Sequence, residues 1–395
     1  MDNYINTNKF NKILLSKYYI RRLNPASQAL KTLLAYYLSL GCESYPNEED
    51  FSYFLQSNYD LSYEVLPYNV GSYEIYKFSL SGVNPKLIND PSYTYDYLES
   101  IFNMITTPVI KNNSFDKKKL SKAKQMCISD IYYACEDLDT IATNNAVNSY
   151  FKNTLNDFPR ICSVSDIKKI TCDELYKYYL NLIKEYNTSY MVGDIPKNIE
   201  NNYQYKLDSH LFIDRGKCDP LIIENKDTNQ AYLRIIYDGN IFSNDDLYYP
   251  ALFINEKFGG GISSDLFNII REELGLCYSI ASTYYAASGI LLVLATINKC
   301  DLNKIITQID NIYDSLLDDF DLEFIKKQFI YDKYEELDNI NTYQANSFYD
   351  SHFPNMIPSK EEIEKINNVT MDDVRLAHKR LKRSLVYILG GDLDE

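Results

Sequence analysis

The sequence predicts an α+β fold of two homologous domains, each a sheet covered by helices on one face. Three features carry that expectation: the chain is written twice, strand pairs recur in tandem at matching places, and helices follow each pair. The clearest echo sets Asp50-Phe51 through Tyr63 and Val65 against Asp265-Leu266 through Tyr278 and Ile280, 215 residues apart and without a gap. A second joins Asp130-x-Tyr132 through Asn144 to Asp332-x-Tyr334 through Asn346. A third joins Ile170-Thr171-x-Asp173-Glu174-Leu175 to Val369-Thr370-x-Asp372-Asp373-Val374, and the closing segments at Tyr190–Ile195 and Tyr387–Leu393 also agree. Four matches in one order imply a duplication. The expected domains are 1–196 and 215–395, with a linker over 197–214 whose Lys197–Ser209 part is polar and rich in Asn.

Each half should open with a short strand and then a helix. In the first half Asn24 can cap the helix and Pro25 can take its first position. Leu30, Leu33, Leu34, Tyr37 and Leu38 then form one apolar stripe, and Gly41 ends it. A second helix is expected near 48–58, with strands near 61–66 and 72–80. In the second half the corresponding helices are 245–258 and 264–274, and the strands are 277–285 and 290–297. Two or three further helices and a closing strand, at 186–193 or 384–390, complete each half.

With 395 residues, 45% of them hydrophobic and 24% charged, the chain can bury two ordinary cores. The 38 tyrosines and absent tryptophan reflect codon usage rather than chemistry. A formal charge of −15 repels phosphate backbones and anionic lipids, so neither nucleic acid nor membrane surfaces are expected partners. The basic run Lys379–Arg383 reads as the solvated end of a helix. No apolar run of 18 residues occurs, and Met1–Phe10 has no apolar signal core. Eight scattered cysteines, none in Cys-x-x-Cys, suit free thiols in a reducing cytoplasm. His210, His352 and His378 lie far apart, so neither a histidine-rich zinc site nor any cofactor is expected.

Phe258-Gly259-Gly260-Gly261-Ile262-Ser263-Ser264-Asp265-Leu266-Phe267, followed by Arg271-Glu272 and Gly275-Leu276-x-Tyr278-Ser279, resembles the pitrilysin/insulinase superfamily, which includes the mitochondrial processing peptidases. Thr7-Asn8-Lys9-Phe10, Tyr45-Pro46 and Glu335-Glu336-Leu337-Asp338 look most like its bacterial YfmF-type non-peptidase subunits. The resemblance implies antiparallel-rich sheets in a LuxS/MPP-like half-clamshell. It also implies a partnership with a homologous zinc-bearing peptidase subunit that acts on a peptide or small protein.

A zinc peptidase helix of this kind carries His-x-x-Glu-His, two imidazoles one turn apart and a carboxylate to activate water. Aligned through Gly41 and Tyr45-Pro46, this chain reads Thr32-Leu33-Leu34-Ala35-Tyr36. The spacing survives, but Thr32, Ala35 and Tyr36 supply neither the ligands nor the base. The family's third ligand, a Glu, falls near Asp130. No catalytic residue and no bound metal are therefore expected. Arg271 and Tyr278 match an Arg and Tyr seven residues apart that, in active relatives, hold the substrate peptide near the zinc. Guanidinium and phenol are both donors suited to a carbonyl gaining charge; alternatively, Arg271 pairs with nearby acids and Tyr278 packs the sheet. Two functions stay open: the non-catalytic subunit of a heteromeric zinc peptidase, or a scaffold or peptide-binding protein with no part in proteolysis.

Other motifs read as structure. Phe258–Gly261 lacks the Lys-Ser or Lys-Thr of a phosphate loop and should be a tight turn into a helix capped by Ser263 or Ser264. Cys277 is expected to pack rather than react. The acids from Asp314 to Glu323 lack calcium-loop spacing and suit a solvated helix terminus.

Overall fold

A computed structural model describes residues 1–154, 157–158, 160–196, 207, 218–353 and 358–390. Its strands are β1 (Asn3–Asn6), β2 (Lys12–Arg22), β3 (Ser62–Val70), β4 (Tyr73–Val83), β5 (Ile110–Lys111), β6 (Ser114–Phe115), β7 (Tyr186–Gly193), β8 (Leu221–Glu224), β9 (Ala231–Asp238), β10 (Cys277–Tyr285), β11 (Ile290–Ile297) and β12 (Lys382–Leu389). The helices are α1 (Gln28–Ser39), α2 (Glu48–Ser57), α3 (Tyr95–Ile105), α4 (Lys117–Glu136), α5 (Leu138–Tyr150), α6 (Val164–Lys169) and α7 (Cys172–Leu182). The second half adds α8 (Tyr248–Asn255), α9 (Leu302–Ser315), α10 (Leu322–Glu336), α11 (Ile340–His352), α12 (Glu362–Asn368) and α13 (Met371–Arg380). Two π-helical segments, Glu256–Gly260 and Leu266–Glu273, lie between α8 and β10.

One compact unit comprises residues 1–133, 161–207 and 336–352. Its five-stranded sheet runs β1-β7-β2-β4-β3, antiparallel except for the β1–β7 pair. Successive side chains of a strand face opposite ways. Ile13, Leu15 and Tyr19 of β2, with Tyr76, Phe78 and Leu80 of β4, face a core shared with α1, α3, α4 and α7. α1 follows from its sequence: the Asn24 side chain accepts from the Ala26 N–H, Pro25 opens the turn, and Leu33, Leu34, Tyr37 and Leu38 are buried. Gly41, at φ +125°, stops the helix where a Cβ would lie 2.5 Å from the Tyr45 carbonyl oxygen.

The other compact unit comprises residues 134–160, 208–335 and 353–395. Its sheet runs β10-β11-β9-β12-β8, antiparallel except for β12–β8. Leu233, Ile235, Leu291, Val293 and Ile388 meet α8, α9 and α13 on one face.

Each unit thus takes one helix from the other half of the sequence. α11 covers the second face of the first sheet, where Tyr18 stacks on Phe348 at 4.0 Å and donates to Gln344 at 2.9 Å. α5 covers the second face of the other sheet, packing Ala142, Ala146 and Tyr150 on Ile236, Leu292, Leu385 and Tyr387. Arg234 of β9 is fully buried there, pairing with the Asp139 carboxylate at 2.6 Å and donating to Thr143 at 2.8 Å. Compactness therefore divides the chain differently from a cut at residues 197–214. Apart from Leu207, that expected linker lies outside the described residues.

The duplication also shows in local chemistry. Thr171 with Glu174 and Thr370 with Asp373 form the same capping box at the start of α7 and α13. Lys124 and Lys326 each donate to carbonyls at the end of the next short helix, Lys168 and Ile170 in one half and Asn367 in the other. Some expectations need correcting. The first strand pair runs longer than 61–66 and 72–80. The expected helices at 245–258 and 264–274 become partly π-helical. Ser264 donates back to the Gly261 carbonyl at 2.6 Å instead of capping the helix with its side chain.

Candidate functional site

Thr32, Ala35 and Tyr36 lie on the half-buried face of α1, opposite the stripe that fills the core. Thr32 and Tyr36 are one turn apart, as the metal-binding spacing requires. Their partners differ from a metal shell. The Tyr36 phenol donates to the Asp130 carboxylate of α4 at 2.5 Å, so the position of the absent third ligand does meet the position of the second histidine. The Thr32 hydroxyl lies 3.5 Å from the Cys162 sulfur. Burial, then the bond to Asp130, raises the Tyr36 pKa, keeping the phenol protonated and a donor.

Two thiols beside Tyr36, Cys127 of α4 and Cys162, gave no signal in the sequence beyond being cysteines. Burial pushes Cys127 up to about 12, with Cys162 and Asp130 adding to the effect. Burial raises Cys162 too, against the opposing effect of its contact with the Thr32 hydroxyl. A phenol and a single carboxylate at the motif positions do not make the imidazole and carboxylate set that zinc takes in this helix. Among the described residues no three His, Cys, Asp or Glu side chains converge as ligands. Neither described histidine contributes here: His352 lies between Phe348 and Tyr186, and His378 lies against Tyr313. His210 lies outside the described residues.

Arg271 and Tyr278 occupy the second copy of the ungapped echo, where the helix is π rather than α but the turn that follows it is shared. Asp60 and Gly275 are both left-handed, at φ 56° and +59°, and the next N–H bonds back six residues in each, Leu61 to Leu55 and Leu276 to Ile270, at 3.0 Å. The copies then diverge. In the first, Tyr63 pairs in register with Leu80 and turns its ring edge-on to Phe51 at 5.8 Å. In the second, the register slips between Cys277 and Ser279, so Tyr278 is a bulge residue. The bulge re-aims its side chain to solvent, where it is 76% exposed.

Arg271, whose counterpart in the first copy is Gln56, lies in the last turn of the π-helical segment before this strand. Gly259 fixes that region closely, since a Cβ there would lie 2.7 Å from the Ser282 hydroxyl of β10. The Arg271 guanidinium sits 4.6 Å from the Phe267 ring and 3.5 Å from Glu272. Its charge eases the Cys277 thiol downward, yet burial still pushes that thiol up to about 11, so Cys277 packs rather than attacks. No hydrogen bond joins Arg271 to Tyr278 among the described residues. Both are donors open to solvent.

Residues 169–329 match the family model described as "Peptidase M16 inactive domain". The "Probable inactive metalloprotease YmfF" of Bacillus subtilis is 23% identical over 98% of this chain and 95% of its own length. Over these residues the chain is similar to the peptidase M16 family. Solved structures agree on the M16 fold. A conserved protein from Enterococcus faecalis V583 superposes with a TM-score of 0.87 at 21% identity, covering 99% of this chain and 96% of that one. A peptidase M16 inactive-domain protein from Pseudomonas fluorescens gives 0.77 at 13% identity over 99% and 96%. The proteins it resembles are described as inactive, and at Thr32, Ala35 and Tyr36 this chain keeps the helix and its spacing without the metal-binding donors.

Proposed function

We propose that this M16 homologue is the non-catalytic subunit of a heteromeric zinc peptidase. A homologous partner supplies the metal, and this chain supplies chamber wall and substrate-holding donors for processing a peptide or small protein. One observation carries the reading. The chemistry at residues 32, 35 and 36 has been replaced by a hydrogen-bonded Tyr36–Asp130 pair, whereas Arg271 and the bulged Tyr278 still offer donors to solvent. A fold retained only as scaffold has no need to hold Tyr278 out of the sheet. The cytoplasm suits the free cysteines of the described residues, and none of their helices is long and apolar enough to cross a membrane.

The test is co-expression with a zinc-bearing M16 homologue from the same cell, followed by peptide turnover. The expected result is a complex whose kcat/KM falls on the order of tenfold or more with Arg271→Ala, since preorganised donors each contribute a few kcal/mol to transition-state binding. A complex with unchanged turnover removes the donor role and favours the scaffold reading. Absence of any complex removes the partnership.

A further inference from the structure

Among the described residues Lys31, Lys77, Lys119 and Lys326 are buried. Three of them have side-chain partners. Lys31 donates to Asn69 at 2.8 Å, Lys77 donates to Asn341 at 3.2 Å, and Lys326 pairs with Glu323 at 3.1 Å. Lys119 of α4 differs. Only 7% of it is exposed, and its amine donates to one backbone carbonyl, that of Gly41 just past α1, at 2.6 Å. The Tyr37 ring lies 5.2 Å from the amine. Asp116, three residues earlier, pairs with Lys111 at 2.6 Å, and no ion pair takes up the Lys119 charge among the described residues.

An ammonium has three N–H donors and is costly to bury without a counter-charge. Here one acceptor faces three donors. The nitrogen of an acylated lysine carries one N–H and no charge, so the surroundings suit the acylated side chain better than the free one. Space is present as well. Lys119 lines a cleft of about 600 Å³ together with Leu40, Pro46 and Val109. The lining is charge-balanced, four lysines against four acids, so it does not favour an ionic reagent.

We propose that Lys119 is an acylation site that takes a small acyl group from a thioester, whose reacting end is uncharged. The lone pair of Nζ attacks the carbonyl carbon of the thioester. The C–N bond forms, the C–S bond breaks, and the proton lost by the nitrogen leaves with the thiol. The remaining N–H keeps its bond to the Gly41 carbonyl, and the acyl group occupies the cleft. Burial favours the reactive form. It lowers the amine from its ordinary 10.5 to about 8, against smaller opposing effects of Cys42 and Asp116. At pH 7.5 about a quarter of such an amine is neutral, against roughly one in a thousand for an exposed lysine. Its lower basicity offsets part of that advantage.

The test is acetylation of the full chain by the uncharged thioester S-acetyl-N-acetylcysteamine, followed site by site by mass spectrometry. At pH 7.5 Lys119 should be acetylated at least about tenfold faster than exposed Lys118. The ratio should narrow at pH 9.5, where Lys118 gains neutral amine and Lys119 has little left to gain. The chain acetylated at Lys119 should keep its Tm within about 2 °C of the parent's, because a buried charge is removed and the hydrogen bond is kept. A Lys119 rate no greater than that of Lys118 at pH 7.5 overturns the proposal. So does a rate that climbs in step with urea-induced unfolding, since the amine would then react only in the unfolded chain. A larger fall in Tm on acetylation overturns the claim that the cleft accommodates the acyl group.

Discussion

Replacing Thr32 and Tyr36 by histidine should give this chain a zinc site, because the geometry survives and only the donors are wrong. The phenol oxygen of Tyr36 lies 2.5 Å from Asp130. An imidazole nitrogen at position 36 stops roughly 2 Å short of that oxygen, opening a gap of at most about 4.5 Å that bonds of about 2.0–2.2 Å can bridge. Thr32→His adds the second imidazole one turn away, and Asp130 supplies the carboxylate with one methylene less than the family's Glu. Zinc at one hundred times its Kd stabilises a protein by about 2.7 kcal/mol. At about 2–4 °C per kcal/mol for a unit of this size, that is a rise of roughly 5–10 °C in Tm. The assay is thermal unfolding of Thr32→His/Tyr36→His and of the parent, each with zinc and with a chelator. A folded double variant that shows no zinc-dependent shift would refute the claim that residues 32, 36 and 130 keep the family's geometry.

Other outcomes follow from the same contacts. Tyr36→Phe should cost roughly 1 kcal/mol, the worth of one hydrogen bond, because Asp130 is exposed and regains water; a double-mutant cycle with Asp130→Asn should return coupling of that size. Arg234→Met should cost about 3 kcal/mol, the lower end for breaking a buried pair, since Asp139 is half exposed and rehydrates; amide exchange across α5 should accelerate selectively. Burial lowers the His352 pKa below its usual 6.5, so the folded state favours the neutral ring. The stability tied to this group is complete above about pH 6.5 and is lost as pH falls from there towards the lowered folded-state value. The protection of α11 amides, measured against their intrinsic exchange rate at each pH, should therefore be lower at pH 5.5 than at 7.5, and His352→Asn should flatten that dependence.

Much of the fold was legible because local signals and tertiary packing agree. The α1 stripe, its Asn24-Pro25 start and its Gly41 stop all place the helix correctly, and β10 and β11 fall where the tandem strand pattern puts them. α5 and α11 were not legible as exchanged helices. Their segments are polar and weakly amphipathic, and nothing local to Ala142 or Phe348 says which sheet lies beneath. The π-helical turns escaped for a similar reason: one residue per turn beyond an α-helix leaves the apolar pattern of Leu266, Ile269 and Ile270 nearly unchanged. At the site, the loss of ligands could be read directly at Thr32, Ala35 and Tyr36. The replacement hydrogen bond to Asp130 and the nearby Cys127 and Cys162 depend on how α4 and the segment before α6 lie against α1. The bulge at Tyr278 was hidden as well, because Tyr63 and Tyr278 occupy equivalent places in the repeat and only the pairing strand distinguishes them.

The most direct measurement is the metal content of the purified, unmodified chain after incubation with equimolar zinc and exhaustive dialysis. Because no three His, Cys, Asp or Glu side chains converge among the described residues, the account predicts far less than one zinc per chain, at background level. One zinc per chain, retained through dialysis and lost on Asp130→Ala, would contradict the account at its centre.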